Sequence, residues 1–287
     1  MSGAFRYAMC NEAFESRSEP HPFAEVCRNL RSFGYEGIEI APFTLAPHPL
    51  EVDSARRREL REIMASEGIS FVGLHFILVG PTPLHITTPD RELREKSWQY
   101  VRHLVDLCAD LCADPGPAPI MVFGSPKQRA ATGGMTGGEA RRHFVDGLAI
   151  LAPHAEARGV TLLAEACPLA STDVIHTIAE AVEAIHEIGS PAVRTMFDVH
   201  NAADETESHG QLIARHWDLI RHIHVNERDG GVPGTGDYDF VPLFRALSAL
   251  AYNGWVSLEM FDFKTDPLAI ARNSIGYLKE QAEMANQ

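Results

Sequence analysis

No apolar run in the chain approaches the roughly 18 residues that a membrane-crossing helix requires. The first residues, MSGAFRYAMCNEAF, have no basic segment leading into an apolar one, so no secretory leader is expected. Basic charge is scarce: 25 Lys and Arg stand against 39 Asp and Glu, a net charge of −14. That balance excludes the broad basic footprint of a nucleic-acid or anionic-membrane surface. The five cysteines, Cys10, Cys27, Cys108, Cys112 and Cys167, are odd in number and include no CxxC pair. They describe a reduced, cytoplasmic protein, with Cys108 and Cys112 as thiols on one helix. Nor is there a linker or a shift in composition that would divide residues 1–287 into more than one domain.

What the chain does have is repetition. Eight short apolar segments recur: FRYAM (5–9), GIEIA (37–41), ISFVGLHF (69–76), PIMVFG (119–124), VTLLAEA (160–166), VRTMFDV (193–199), HIHV (222–225) and WVSLEMF (255–261). Amphipathic stretches separate them, and Gly34, Gly68, Gly159 and Gly254 stand where a helix would end before the next strand. Strands that are apolar throughout and alternate with helices form a parallel sheet covered by helices. Eight such units predict a single closed (β/α)₈ barrel, a TIM barrel. The glycine-rich stretch KQRAATGGMTGGEA (127–140) follows strand four, as either a plain connection or a cover for the site.

The active site of such a barrel lies at the C-terminal ends of its strands. Strand five ends in Glu165, strand six in Asp198 and His200, strand seven in His224 and Glu227, and strand eight in Glu259. From Glu165 to Asp198, His224 and Glu259 the steps are 33, 26 and 35 residues, each about one βα unit. Equal positions in successive units become neighbours in space. Three carboxylates and one imidazole gathered in this way repel one another unless a cation joins them. A shell of oxygens and one nitrogen suits Mn²⁺, Mg²⁺ or Co²⁺ better than a structural Zn²⁺ site, although Zn²⁺ remains open.

A divalent metal there would polarise a carbonyl and its neighbouring hydroxyl, acidifying the carbon between them toward an enediolate. Glu165 and Glu259, at opposite ends of the four-strand arc, would then remove and return a proton. The expected activity is isomerisation or epimerisation of a small keto sugar or related ketone. Elimination by a lyase on the same site is the alternative.

These residues resemble the xylose-isomerase-like TIM barrels, the sugar phosphate isomerases and epimerases. This superfamily includes ketose 3-epimerases, hydroxypyruvate isomerases, inosose dehydratases and endonuclease IV. The likeness runs from GYEGIEI through GSPKQR to SLEMFDF, and HVNERDGGVPGTGDYDF is its most specific part. It implies that Glu165, Asp198, His224 and Glu259 bind one divalent metal, with the two glutamates as acid and base. It also implies a small carbohydrate substrate and self-association.

The chain departs from the ketose 3-epimerases at three positions. Ser171 stands where they carry a second Glu, Gly230 where they carry an Arg, and Asn201 where a His is common. The resemblance thus carries over the metal residues but not the pair that grips sugar hydroxyls. Endonuclease IV needs further histidines, and strand four supplies none to join His75.

Other residues are placed to meet substrate. His75 ends strand three, His200 follows Asp198, and Glu227 and Arg228 follow His224. Lys127 and Arg129 leave strand four, either gripping an anionic group or lying solvated in the loop. Glu39 alternates with Ile38 and Ile40 and so faces the barrel interior, as a buried ion pair or a substrate contact. His222 faces the same way as His224 but one layer deeper.

Overall fold

Eight parallel strands close on themselves in sequence order, so that the first pairs with both the second and the eighth. The computed structural model describes residues 5–15, 21–112, 117–261 and 265–287. The strands are β1 (Arg6–Cys10), β2 (Gly37–Ile40), β3 (Ser70–Leu74), β4 (Ile120–Phe123), β5 (Thr161–Ala164), β6 (Val193–Asp198), β7 (Ile220–Val225) and β8 (Trp255–Leu258). The helices are α1 (Phe23–Phe33), α2 (Ser54–Glu67), α3 (Arg91–Leu111), α4 (Gly137–Arg158), α5 (Ile178–Ile188), α6 (His209–Arg215), α7 (Phe240–Ala249) and α8 (Pro267–Ala285). This is the (β/α)₈ barrel predicted from the eight apolar segments. Asp262 and Phe263 of SLEMFDF lie outside the described residues.

Local chemistry sets the element ends. Gly34, Gly68 and Gly159 cap α1, α2 and α4 in the left-handed conformation, and Gly189 does the same for α5. Gly254 does not cap a helix: α7 already ends at Ala249, and the chain turns through Leu250 and left-handed Ala251. Helix α5 begins at Ile178 because the Thr177 hydroxyl accepts from Glu180 N and starts it there. Stretch 127–140 is tied down as a connection. Asp173 accepts from Ala131 N, and Thr136 and Glu139 form a reciprocal capping box at the start of α4.

Two apolar layers sandwich the sheet. Outward-facing strand residues such as Met9, Ile38, Phe123 and Leu258 pack beneath the helices in the main core. Inside, Ala8, Val72, Ile120, Val122, Leu163, Met196 and Trp255 form a separate small cluster that plugs the barrel. The plug is tight: a Cβ on Gly37 would lie 2.6 Å from Val72 and 2.8 Å from Trp255. Above this plug the inward positions become polar, and the site is built there. None of the five cysteines is in a disulfide, and among the described residues no helix is long and apolar enough to cross a membrane.

Candidate metal and catalytic site

Register explains how four separate strands deliver one constellation. Asp198 of β6 pairs with His224 of β7, and His224 pairs with Ser257 of β8, so Glu259 stands one inward position above. Glu165 follows the last residue of β5. A register shift between Thr195 and Phe197 realigns β6 against β7 just before Asp198. Glu165, Asp198, His224 and Glu259 are all buried, and each offers a ligand atom within 4.8 Å of the others.

Each side chain is held by a partner. Asn201 Nδ2 donates to Glu165 Oε1 at 2.9 Å, and Asn201 N donates to Asp198 Oδ1 at 2.7 Å. Asn226 Nδ2 donates to Asp198 Oδ2 at 3.0 Å, while its Oδ1 accepts from His200 N. His224 Nε2 donates to Glu39 at 3.1 Å, which turns Nδ1 toward Glu259 at 3.1 Å and Asp198 at 3.6 Å. A carboxylate behind an imidazole fixes its orientation and raises its basicity, as in the second shell of metal sites. Glu39 also accepts from His222 Nε2 at 2.8 Å. Of the two readings of Glu39, the structure therefore carries the buried ion pair.

The electrostatics reflect crowding of like charges. Burial pushes Glu165 up to about 8, with the charges of Glu259 and Asp198 adding to the rise. Glu259 is also raised, chiefly by burial, although His224 opposes the shift. Burial alone would depress His224, but Glu39 and Glu259 outweigh it and hold the ring protonated well above its ordinary range. Glu39, despite its burial, is held well below the carboxylate range by His222 and His224. A pocket that forces protons onto its own acid and imidazole has the charge to accept a dication in their place. Three oxygens and one nitrogen are the matching donor set.

A cavity of about 190 Å³ opens directly above, with Glu165 and Glu259 in its wall beside Gly124, Ser171, His200 and Asn201. Gly124 is required by close approach: a Cβ there would lie 2.2 Å from Glu165 Oε2. Gly124→Ala is expected to displace the Glu165 carboxylate and lower kcat by roughly a hundredfold, while leaving the thermal midpoint within a few degrees. A variant of normal activity would show that the placement of Glu165 is not critical. A larger groove between α3 and α4, lined by Trp98 and Ile150, contains none of the site residues expected from the sequence.

The residues expected to meet substrate divide. His200 lines the cavity, its Nδ1 hydrogen-bonded to Arg228 O at 2.8 Å. His75 is fully buried behind the wall, donating from Nε2 to Glu12 Oε2 at 2.6 Å. Glu227 turns away from the cavity to accept from Gly234 N and Tyr238 N, pinning the loop after β7. Arg228 lies over the Tyr238 ring toward α6 and α7, and exposed Lys127 is not among the cavity-lining residues. Arg129 is turned inward rather than solvated. It is fully buried over Phe144, with Nη1 donating to Phe123 O at 2.9 Å. Its charge is among those that counter the rise of Glu165. Asn226 and Glu12 are not marked by the one-unit spacing; an amide or acid two places beyond an inward strand-end residue, His224 and Cys10 in turn, is the signal that finds them.

Residues 27–281 match the family model described as xylose isomerase-like TIM barrel. The chain belongs to that family. It is 22% identical over 249 residues to a probable ketose 3-epimerase of Synechocystis sp., covering 85% of this chain and 80% of that one. Among solved structures, an L-ribulose 3-epimerase superposes with a TM-score of 0.83 at 21% identity, covering 99% of this chain and 96% of the other. The apo 3-keto-D-glucoside 4-epimerase of E. coli superposes with a TM-score of 0.81, again at 21% identity, over 96% of this chain and all of that one. At such identities the superpositions show a shared fold.

Proposed function

We propose that the protein is a divalent-metal-dependent epimerase or isomerase of a small keto sugar. The observation that carries this reading is the convergence of Glu165, Asp198, His224 and Glu259, their ligand atoms within 4.8 Å of one another, with Glu165 and Glu259 lining an open cavity. The relative named as a probable ketose 3-epimerase supports it. The four residues would hold one cation, with Mn²⁺, Mg²⁺ and Co²⁺ suited to the oxygen-rich set. When bound, such an ion supplies Lewis-acid polarisation of the substrate carbonyl.

The chain's own residues then divide the proton work. Glu165 and Glu259 come from β5 and β8, at the two ends of the ligand arc, so they face a bound sugar from different sides. One carboxylate takes the proton beside the carbonyl and the other returns one to the opposite face. Asn201 orients Glu165, and Glu39 orients His224. Burial keeps both glutamates out of bulk water, which raises the basicity of each.

Solvent exchange tests the reaction class. A keto sugar incubated with the metal-loaded enzyme in D₂O should gain one deuterium at the inverted or isomerised carbon. Its product should be about one mass unit heavier than the substrate, deuterium having replaced the hydrogen removed. A product lighter by one water would replace this reading with elimination.

A further inference from the structure

The small apolar cluster inside the barrel separates two chambers. Val122 lines the catalytic cavity on one side of it, while Val72, Ile120 and Trp255 line a second cavity, of about 670 Å³, on the other. Arg6, Ile120, Thr161, Ile220 and Trp255 of this second cavity are each the first residue of a strand, so it opens at the N-terminal end of the barrel. That end of a TIM barrel ordinarily serves stability, with the chemistry at the other. The volume is nonetheless in the range of small-molecule sites.

Its wall is basic, in a chain of net charge −14. Arg6 lies over the Trp255 ring, its guanidinium carbon 3.7 Å from the centroid. Stacking uses the face of a guanidinium and leaves its edge N–H groups free. Among the described residues none of those N–H groups has a hydrogen-bond or carboxylate partner. Arg221 is exposed and donates from Nη1 alone, to Ile220 O at 3.0 Å and Trp217 O at 3.5 Å. Arg194 of β6 is also in no ion pair among the described residues, its Nη1 donating to Ser190 O and Val193 O. Burial lowers the pKa of Arg194, and the charge of Arg221 lowers it further. Exposed Asp218 is the one acid among the lining residues, and it pairs with neither Arg6 nor Arg221.

The same wall carries aromatic surface. Trp217 and Tyr252, both partly buried, meet edge to face with centroids 5.6 Å apart. An inorganic anion would fill only a small part of the cavity, whereas rings beside two cations suit an anion with an organic body. We propose that this cavity binds a small organic phosphate, its dianion held by Arg6 and Arg221 and its organic part against Trp217 and Tyr252. The site is separate from the catalytic one, with the apolar cluster between them. A phosphate dianion matches two guanidinium charges, and its oxygens accept from both forks at once.

Calorimetry on the full chain in the presence of a chelator tests this, because without a metal the catalytic carboxylates repel anions. Phenyl phosphate should bind at one site per chain, about tenfold more tightly than inorganic phosphate, through the ring's contacts with Trp217 and Tyr252. Its affinity should fall at least about tenfold in Arg221→Gln and in Arg6→Gln, each of which removes a charge-assisted contact. Arg221 is exposed, so its variant decides the matter if loss of the Arg6 stack on Trp255 unsettles the fold. Asp218→Asn should strengthen binding, and Lys127→Gln, at the opposite end of the barrel, should leave it unchanged. Absence of phenyl phosphate binding, equally tight binding of inorganic phosphate, or full affinity in Arg221→Gln overturns the proposal. So does a loss in Lys127→Gln as large as that in Arg221→Gln, which would mark a diffuse effect of charge.

Discussion

Replacing either Glu165 or Glu259 with Gln should lower kcat by at least ~10³-fold while leaving the protein folded. Gln keeps the size of the side chain and can still accept from Asn201 or meet His224, so the loss isolates the carboxylate charge and its proton. The more informative readout is partial. If each glutamate serves one face of the sugar, each variant retains one working base. Glu165→Gln should then exchange solvent deuterium into one epimer without inverting it, and Glu259→Gln into the other. Metal content measured on both variants separates lost proton transfer from a lost ligand. Near-normal turnover by either variant, or exchange of the same epimer by both, would overturn the division of labour between the two glutamates.

Metal removal should abolish turnover and also destabilise the protein in a pH-dependent way. The folded-state pKa of Glu165 is raised to about 8, against roughly 4.3 in an unfolded chain. Between those values the folded state binds the proton more tightly, so metal-free stability falls as pH rises through that window. Raised Glu259 acts in the same direction, and so does His224, whose ion pairs are lost as it deprotonates. Metal-free protein should therefore melt highest near pH 5 and progressively lower toward pH 8. A cation takes the place of those protons, so its stabilising effect should grow with pH. At a thousandfold excess over Kd it contributes about 4 kcal/mol, or roughly 10 °C for a chain of this size. Melting curves after chelation and after Mn²⁺ return, at pH 5, 6.5 and 8, measure this. A metal-induced shift that is the same at all three pH values would show that these groups are not its ligands.

The legible part of this protein is its periodic part. Strands buried on both faces read as short apolar runs, and a closed barrel makes residues one βα unit apart into neighbours. Glu165, Asp198, His224 and Glu259 could be found from that spacing alone. What spacing cannot give is contact across the bore. The inward direction of Glu39 follows from its alternation with Ile38 and Ile40, but its bonds to His222 and His224 depend on barrel diameter and stagger. Arg129 sits two residues from exposed Lys127 and looks no different from it in sequence. Burial against Phe144 separates them, and that depends on how the loop after β4 folds back. The Gly230–Phe261 contact joins two loops whose approach no local pattern encodes. Glu227 shows the same limit from the other side: its place beside His224 in the sequence points to substrate, whereas backbone N–H groups in its own loop claim its carboxylate.

The hydrogen bonds that Glu39 accepts from His222 and His224 span 183 and 185 residues. They tie β2, in the first half of the chain, to β7, in the second, through the middle of the barrel. Half-barrels cut between β4 and β5 would thus not be interchangeable parts. An N-terminal half paired with a foreign C-terminal half would bury the Glu39 charge without its imidazoles, at a cost of several kcal/mol. A C-terminal half would carry all four of the proposed ligands yet lack the carboxylate that aims His224. Any exchange of segments between this barrel and a relative must move Glu39 and the two histidines together. The unit of inheritance for this site is a trio of residues on opposite sides of the ring, and not a contiguous stretch of chain.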